Sequence, residues 1–234
     1  SNAVFVPNFD SPIGATATIV DNPTLTQPQF VTNFNPPGFS TPNPISNPTN
    51  TIYTVSSGNL TYSCPVSSGN GGRMSVAATT ALGSGKYYWE NLPTNTNAGF
   101  GLIAYLQQGM DITTANPGST YYVAGFNTGQ AYSNLSPAPT WTGTTFTYVA
   151  NDLIGLAYDG TAGTLAFYKN GTLAGTYSGL PTSYVWFPAQ VASASAASTN
   201  FTINFGQQPF TYTPPAGYRT LNTFNLANPS MPLV

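Results

Sequence analysis

Residues Asp152 to Thr172 read DLIGLAYDGTAGTLAFYKNGT, and this stretch decides the fold. Ile154, Leu156 and Tyr158 alternate with smaller or polar neighbours, the period of a half-buried strand. Asp159-Gly160-Thr161-Ala162-Gly163 is turn chemistry, with glycine available wherever φ must be positive. Leu165 and Phe167 then share one face of a second strand, with Thr164, Ala166 and Tyr168 on the other. Asn170-Gly171 closes the run as a type I′ hairpin turn, whose two central residues both take φ > 0.

Working outward, the same alternation of strand and turn fills residues 51–210. Thr51 to Val55 and Leu60 to Cys64 flank Ser56-Ser57-Gly58-Asn59, a hairpin. Short strands are expected at Arg73 to Ala78, Gly85 to Asn91, Phe100 to Leu106 and Thr120 to Phe126. Phe146 to Ala150 is expected as a strand leading into the central hairpin. Leu173 to Tyr177, Tyr184 to Ser193 and Asn200 to Phe205 complete the set. Gln107 to Ser119 and Asn127 to Thr144 read as long loops. No stretch has a capped helical period, and no internal repeat is evident. Many short strands at this spacing imply an all-β fold, a two-sheet antiparallel β-sandwich.

The flanks differ. Residues 1–50 hold nine of the 21 prolines, with Asp10 and Asp21 as the only charges. Such proline density excludes regular helix and central strand, so this leader is expected to be an extended arm. Phe5, Phe9, Phe30, Phe34 and Phe39 are spaced along it, which a plain flexible linker has little use for. They are expected to act as anchors that dock on this domain or on a neighbouring subunit. Residues 211–234 are again proline-rich and are expected to run over the sandwich surface before leaving it.

Composition narrows the function. Charged residues are 4% of the chain, against about 25% in an average soluble protein. Aromatic residues are 14% and hydrophobic residues 41%, enough to fill a core. Arg73, Lys86, Lys169 and Arg219 are the only cations, too few to line a nucleic-acid groove. No apolar run is long enough to span a membrane, and no signal peptide is visible. The single cysteine, Cys64, has no partner for an internal disulfide and is expected to be a small buried side chain. There is no histidine, which removes His-based triads and histidine metal ligands. No cofactor and no metal are expected. Asp111 with Asn116 is conceivable as a calcium ligand pair, though a solvated loop aspartate is the simpler reading. Glu90 with Asp152 or Asp159 is the carboxyl pair that a glycosidase would need.

Five motifs in order resemble the SPRY (B30.2-like) domain family. They are Gly85 with Tyr88-Trp89-Glu90; Gly99-Phe100-Gly101-Leu102-Ile103; Gly155 and Asp159 with Phe167, Asn170 and Gly171; Phe187-Pro188-Ala189; and Phe201, Asn204, Phe205 and Gly206. The stretch from Gly206 to Asn222 also resembles SPRY-like domains of bacteriophage structural and tail proteins. The resemblance implies a binding scaffold of two antiparallel sheets whose loops grip a partner, with no catalytic residues. It assigns Glu90 and Asp159 to structural motifs.

Binding residues are therefore expected on loops. Tyr132 and Trp141 are candidates to stack on a sugar or anchor a protein partner, or else to pack their own loop, and Arg73 offers a directional donor. Trp89 and Phe167 are expected in the core. The expected function is a non-enzymatic structural and interaction protein at the surface of a virion, as phage capsid decoration or tail component. Its partners would be other virion proteins and its own copies, in a homo-oligomer taken as a trimer. The alternatives are a host-recognition module for surface carbohydrate and a cellular protein-binding SPRY domain.

Overall fold

The computed structural model describes residues 54–57, 60–64, 74–78, 80–96, 98–105, 120–126, 131–133, 135–192, 199–222 and 225. Fourteen strands are found there: β1 (Thr54–Ser56), β2 (Thr61–Cys64), β3 (Met74–Ala77), β4 (Lys86–Pro93), β5 (Ala98–Tyr105), β6 (Thr120–Phe126) and β7 (Ala131–Ser133), then β8 (Thr140–Gly143), β9 (Ile154–Asp159), β10 (Thr164–Lys169), β11 (Thr172–Ser178), β12 (Trp186–Ala192), β13 (Thr199–Asn204) and β14 (Arg219–Thr220). They form a nine-stranded sheet in the order β1-β2-β13-β4-β9-β10-β11-β8, with β14 paired to β4, and a five-stranded sheet in the order β3-β12-β5-β6-β7. All pairings are antiparallel except β14 on β4. The expected two-sheet β-sandwich is the observed fold.

The central hairpin forms as its sequence dictates. Asn170 and Gly171 have φ of 48° and 80°, the left-handed pair that a type I′ turn requires. Asn170 tolerates this because its side chain is fixed. Its Oδ1 accepts from Leu153 N at 2.8 Å and its Nδ2 donates to Asp152 Oδ1 at 2.6 Å. β9 pairs with β10 from Ile154↔Lys169 to Asp159↔Thr164. Ile154, Leu156 and Tyr158 enter the core, as do Leu165 and Phe167. The expected half-buried β9 is instead buried along its whole length. Its outer face, Gly155 and Ala157, is covered as well, for a reason given below.

The core lies between the sheets, with Trp89, Leu156, Phe167 and Phe201 from the larger sheet and Phe100, Leu102 and Trp186 from the smaller. Trp89 and Phe167 are fully buried, as expected. One polar contact crosses the layer: Gln190 Nε2 donates to Asn91 Oδ1 at 3.3 Å, both residues being buried.

Two further expectations need correction. Phe146 to Ala150 is not a strand. Phe146 and Tyr148 alternate inward with strand-like period, but the segment joins no ladder, because alternation reports burial and not pairing. The Tyr148 hydroxyl donates to the Ala98 carbonyl and so pins the segment to β5. Conversely, the expected loop over residues 127–144 contains β7 and β8, each too short to show a period.

Gly101 sits where the small sheet is tightest, paired with Ala124 of β6 and Ala189 of β12. A Cβ there would lie 1.9 Å from the Val123 carbonyl oxygen, a backbone atom held in the ladder. Gly101→Ala is expected to cost about 3 kcal/mol or more in urea unfolding. An unchanged midpoint would show that β6 can move aside.

Candidate functional site

Strand β4 carries the site because both of its faces are used. Tyr87, Trp89 and Asn91 point into the core, and by alternation Lys86, Tyr88, Glu90 and Leu92 point outward. Ladder register continues these outer rows across the sheet. Lys86 aligns with Asp159 and Thr164, Tyr88 with Ala157 and Ala166, and Glu90 with Gly155 and Tyr168. Gly155 leaves room for Tyr88: a Cβ there would meet the Tyr88 hydroxyl at 2.4 Å.

Residues 206–222 lie across this face as a strap. Asn204 launches it by accepting from Gly206 N at 2.9 Å and donating to the carbonyls of Gln208 and Pro209. Phe210 meets the Tyr88 ring edge to face, with centroids 5.0 Å apart. Thr211 N and Tyr212 N donate to the Glu90 carboxylate at 2.9 and 3.0 Å, and the Tyr88 hydroxyl adds a third bond at 3.3 Å. Tyr212 lies on the bare backbone of Gly171, where a Cβ would come within 2.5 Å of its ring. The Lys86 ammonium stands 5.6 Å from the Tyr218 ring centroid. β14 then pairs in parallel with Tyr87 and Tyr88, beside the edge that β13 occupies from Glu90 to Pro93. Leu221 is fully buried, and its N–H donates to Phe205 O at 3.0 Å. Residues 206–222 thus pack on the sandwich, and Tyr88 beneath the strap fills the space over Gly155 on the outer face of β9; the expected departure from the surface falls outside the described residues.

The acidic residues of the described chain are all engaged. Glu90 is 2% exposed and is held as an acceptor by three donors, without a cation beside it among the described residues. Asp159 accepts from Thr161 N and Ala162 N and pairs with Lys86 Nζ at 2.9 Å. Asp152 accepts from Val149 N and from Asn170 Nδ2. Burial raises the Asp159 pKa, but the Ala162 amide, Lys86 and the Thr161 amide together outweigh it and hold the carboxyl below its ordinary range. Hydrogen bonding to Asp159, then its charge, raises Lys86. Burial pushes Tyr158 and Tyr177 up to about 12, and it raises Tyr88 and Tyr148 further, with the Glu90 carboxylate adding to the shift of Tyr88. Among the described residues no three His, Cys, Asp or Glu side chains gather to hold a metal ion, and no helix is long and apolar enough to cross a membrane.

Of the sequence-derived candidates, the structure describes Trp141 and the backbone of Tyr132. Trp141 is on β8, not in a loop. Its ring packs on Gly175, Phe167 and Tyr177, and its Nε1 donates to Thr144 O at 3.1 Å, leaving it half-buried. Tyr132 is on β7, opposite Ala124. Arg73, Asp111, Phe5, Phe9, Phe30, Phe34 and Phe39 lie outside the described residues. Tyr88, Tyr168, Phe210, Tyr212 and Tyr218, which make the strapped face, are not among the binding candidates that the sequence offers. Their signal is the outward parity of Tyr88 and Glu90 on a strand whose other face is core.

The described residues thus form a two-layer antiparallel sandwich with an extended segment of the same chain lying across one sheet. The chain belongs to the SPRY domain family, whose model matches residues 86–208. The stonustoxin structure is similar at 17% identity and a TM-score of 0.47, covering 71% of this chain and 27% of that one. The TRIM65 PSpry domain is similar at 16% identity and a TM-score of 0.46, covering 77% of this chain and 94% of that one. The SPRY domain of human HERC1 is similar at 17% identity and a TM-score of 0.45, covering 68% of this chain and 95% of that one. This chain therefore spans about a quarter of the stonustoxin chain it matches. No curated protein matches.

Two outcomes are expected. Glu90→Gln keeps the shape but replaces one acceptor oxygen with a donor facing the Thr211 and Tyr212 amides. It should cost about 2–4 kcal/mol and raise hydrogen exchange at those two amides; unchanged exchange would show that the strap is held elsewhere. The pH profile follows from the tyrosines, Lys86 and Asp159. The raised tyrosine pKa values mean that the unfolded chain releases those protons first, so stability is intact below pH 10 and falls as pH climbs from 10 toward 12. Asp159 acts at the other end, where stability is lost as pH drops below 3.8. With no histidine, the urea midpoint should be flat between about pH 5 and about pH 9. A step near pH 6.5 would contradict this.

Proposed function

We propose that this chain is a non-enzymatic structural and interaction protein of a virus particle, a bacteriophage capsid decoration or tail component. Its SPRY sandwich faces outward and its leader ties it to neighbouring subunits. The observation that carries the reading is the pairing of a protein-interaction scaffold with a proline-rich, phenylalanine-studded leader of 50 residues. The family supplies the protein-binding role. The resemblance of residues 206–222 to phage SPRY-like domains supports the particle.

The surface chemistry agrees with contact between proteins. With 4% charged residues, covering this surface removes few ions from water, so large areas can be buried without a heavy desolvation cost. Binding of that kind is little affected by salt. The engaged carboxylates of Glu90, Asp152 and Asp159 serve turns and the strap, consistent with a scaffold.

Deleting residues 1–50 tests the reading. The sandwich is expected to stay folded by circular dichroism, while self-association in sedimentation and incorporation into particles drop at least tenfold. A truncated chain that assembles as well as the full chain would overturn the anchoring role. Recovery of the full chain with a cellular partner and never with particles would favour the cellular protein-binding alternative.

A further inference from the structure

The leader and the strap share a short run of sequence. Phe34-Asn35-Pro36-Pro37-Gly38-Phe39 and Tyr212-Thr213-Pro214-Pro215-Ala216-Gly217-Tyr218 both read aromatic, uncharged polar, Pro-Pro, Gly, aromatic. The second has one extra alanine before its glycine. The recurrence is too short to register as a repeat of structural units, but it is a complete docking element. Two prolines preset an extended backbone and remove donors that would otherwise need partners, so little entropy is lost on binding. An aromatic ring at each end supplies the contact area.

The strap shows how the run is used. Tyr212 rests on Gly171, Tyr218 stands beside Lys86, and the backbone entering the run is held by Glu90. Tyr168, whose ring meets Tyr88 on the strapped face, borders the rest of this sheet face. On the outer side of β10, β11 and β8, Tyr168 aligns with Leu173, and Ala166 aligns with Thr176 and Thr142. Tyr168 is half-buried, Leu173 is 54% exposed and Thr142 is exposed. The strip is uncharged, with a low floor at Ala166 beside the ridge of Tyr168 and Leu173. It is continuous with the face that already binds one such run.

We propose that this strip receives the Phe34–Phe39 run from the leader of a second copy of the chain. The inference rests on the reading of the leader as an arm between subunits, and it names where the arm lands. Fourteen residues, 40–53, separate Phe39 from β1. Fully extended they span about 50 Å, against a radius of gyration of about 15 Å for a domain of this size. The run can therefore clear its own sandwich and meet the next. The leader carries no cation and the strip carries no ion, so the contact is apolar and aromatic.

The test uses the full chain with p-benzoylphenylalanine in place of Phe34 or Phe39, mixed as light and 15N-labelled protein and irradiated. Light–heavy crosslinked peptides from residues 164–178 or 140–143 are the expected result. Light–heavy crosslinks that map elsewhere overturn this landing site and leave the arm reading intact. Crosslinks within one chain to the strip overturn the second-copy assignment. Absence of crosslinks in a chain that sediments as a monomer overturns both. Independently, Leu173→Glu changes an exposed side chain outside the core and is expected to weaken self-association at least tenfold in sedimentation; unchanged association would overturn the proposal.

Discussion

Eight aromatic rings touch in sequence through the middle of the sandwich. Trp141 meets Tyr177 and Phe167, Phe167 meets Phe146, Phe146 meets Tyr148, Tyr148 meets Phe100, Phe100 meets Phe201, and Phe201 stacks on Tyr62. Successive centroids lie between 4.7 and 5.9 Å. Each such pair adds roughly 0.5–1.5 kcal/mol beyond area burial. The chain starts on edge strand β8, passes through the unpaired segment of Phe146 and Tyr148, touches the small sheet at Phe100 and ends on β2. The two layers are thus registered by ring geometry. A domain with few ions to fix orientation uses shape instead.

The outer face of the nine-stranded sheet has a different logic. There a single buried carboxylate, Glu90, collects two backbone amides and a phenol, and this fixes where residues 206–222 cross the strands. An ion in that position is costly without partners and directional with them. Strand β4 is consequently enclosed on both faces and along both edges, by β9 on one side and by β13 and β14 on the other. The result is an enclosed central strand flanked by surfaces that carry threonine and tyrosine.

The sandwich was legible because its strands alternate strongly and its turns carry their own chemistry. Asn170-Gly171 and the Asp159 turn are local features, set by backbone conformation and nearby amides, and the sequence states them directly. The strap was legible only in outline. Proline at 209, 214 and 215 announces an extended path, but which surface it follows depends on Glu90, more than a hundred residues away. A shorter separation hid the fate of Trp141. Its position just after Pro137 and Pro139 reads as loop, while its burial depends on Gly175 of a partner strand offering no side chain. Nothing in the letters around Phe146 distinguishes a strand from an insertion, because both turn alternate residues inward.

The leader joins the sandwich at β1, which pairs over only three positions, Thr54↔Ser63 to Ser56↔Thr61, at the far end of the larger sheet. Tension applied through residues 1–53 would therefore enter at a three-position ladder. Pulled from that end, hydrogen bonds open one after another, as in a zipper, while the enclosed middle strand bears no load. Were residues 1–50 to tether the subunit, the seam beside the tether would be the first to yield, with the core strands behind it still paired.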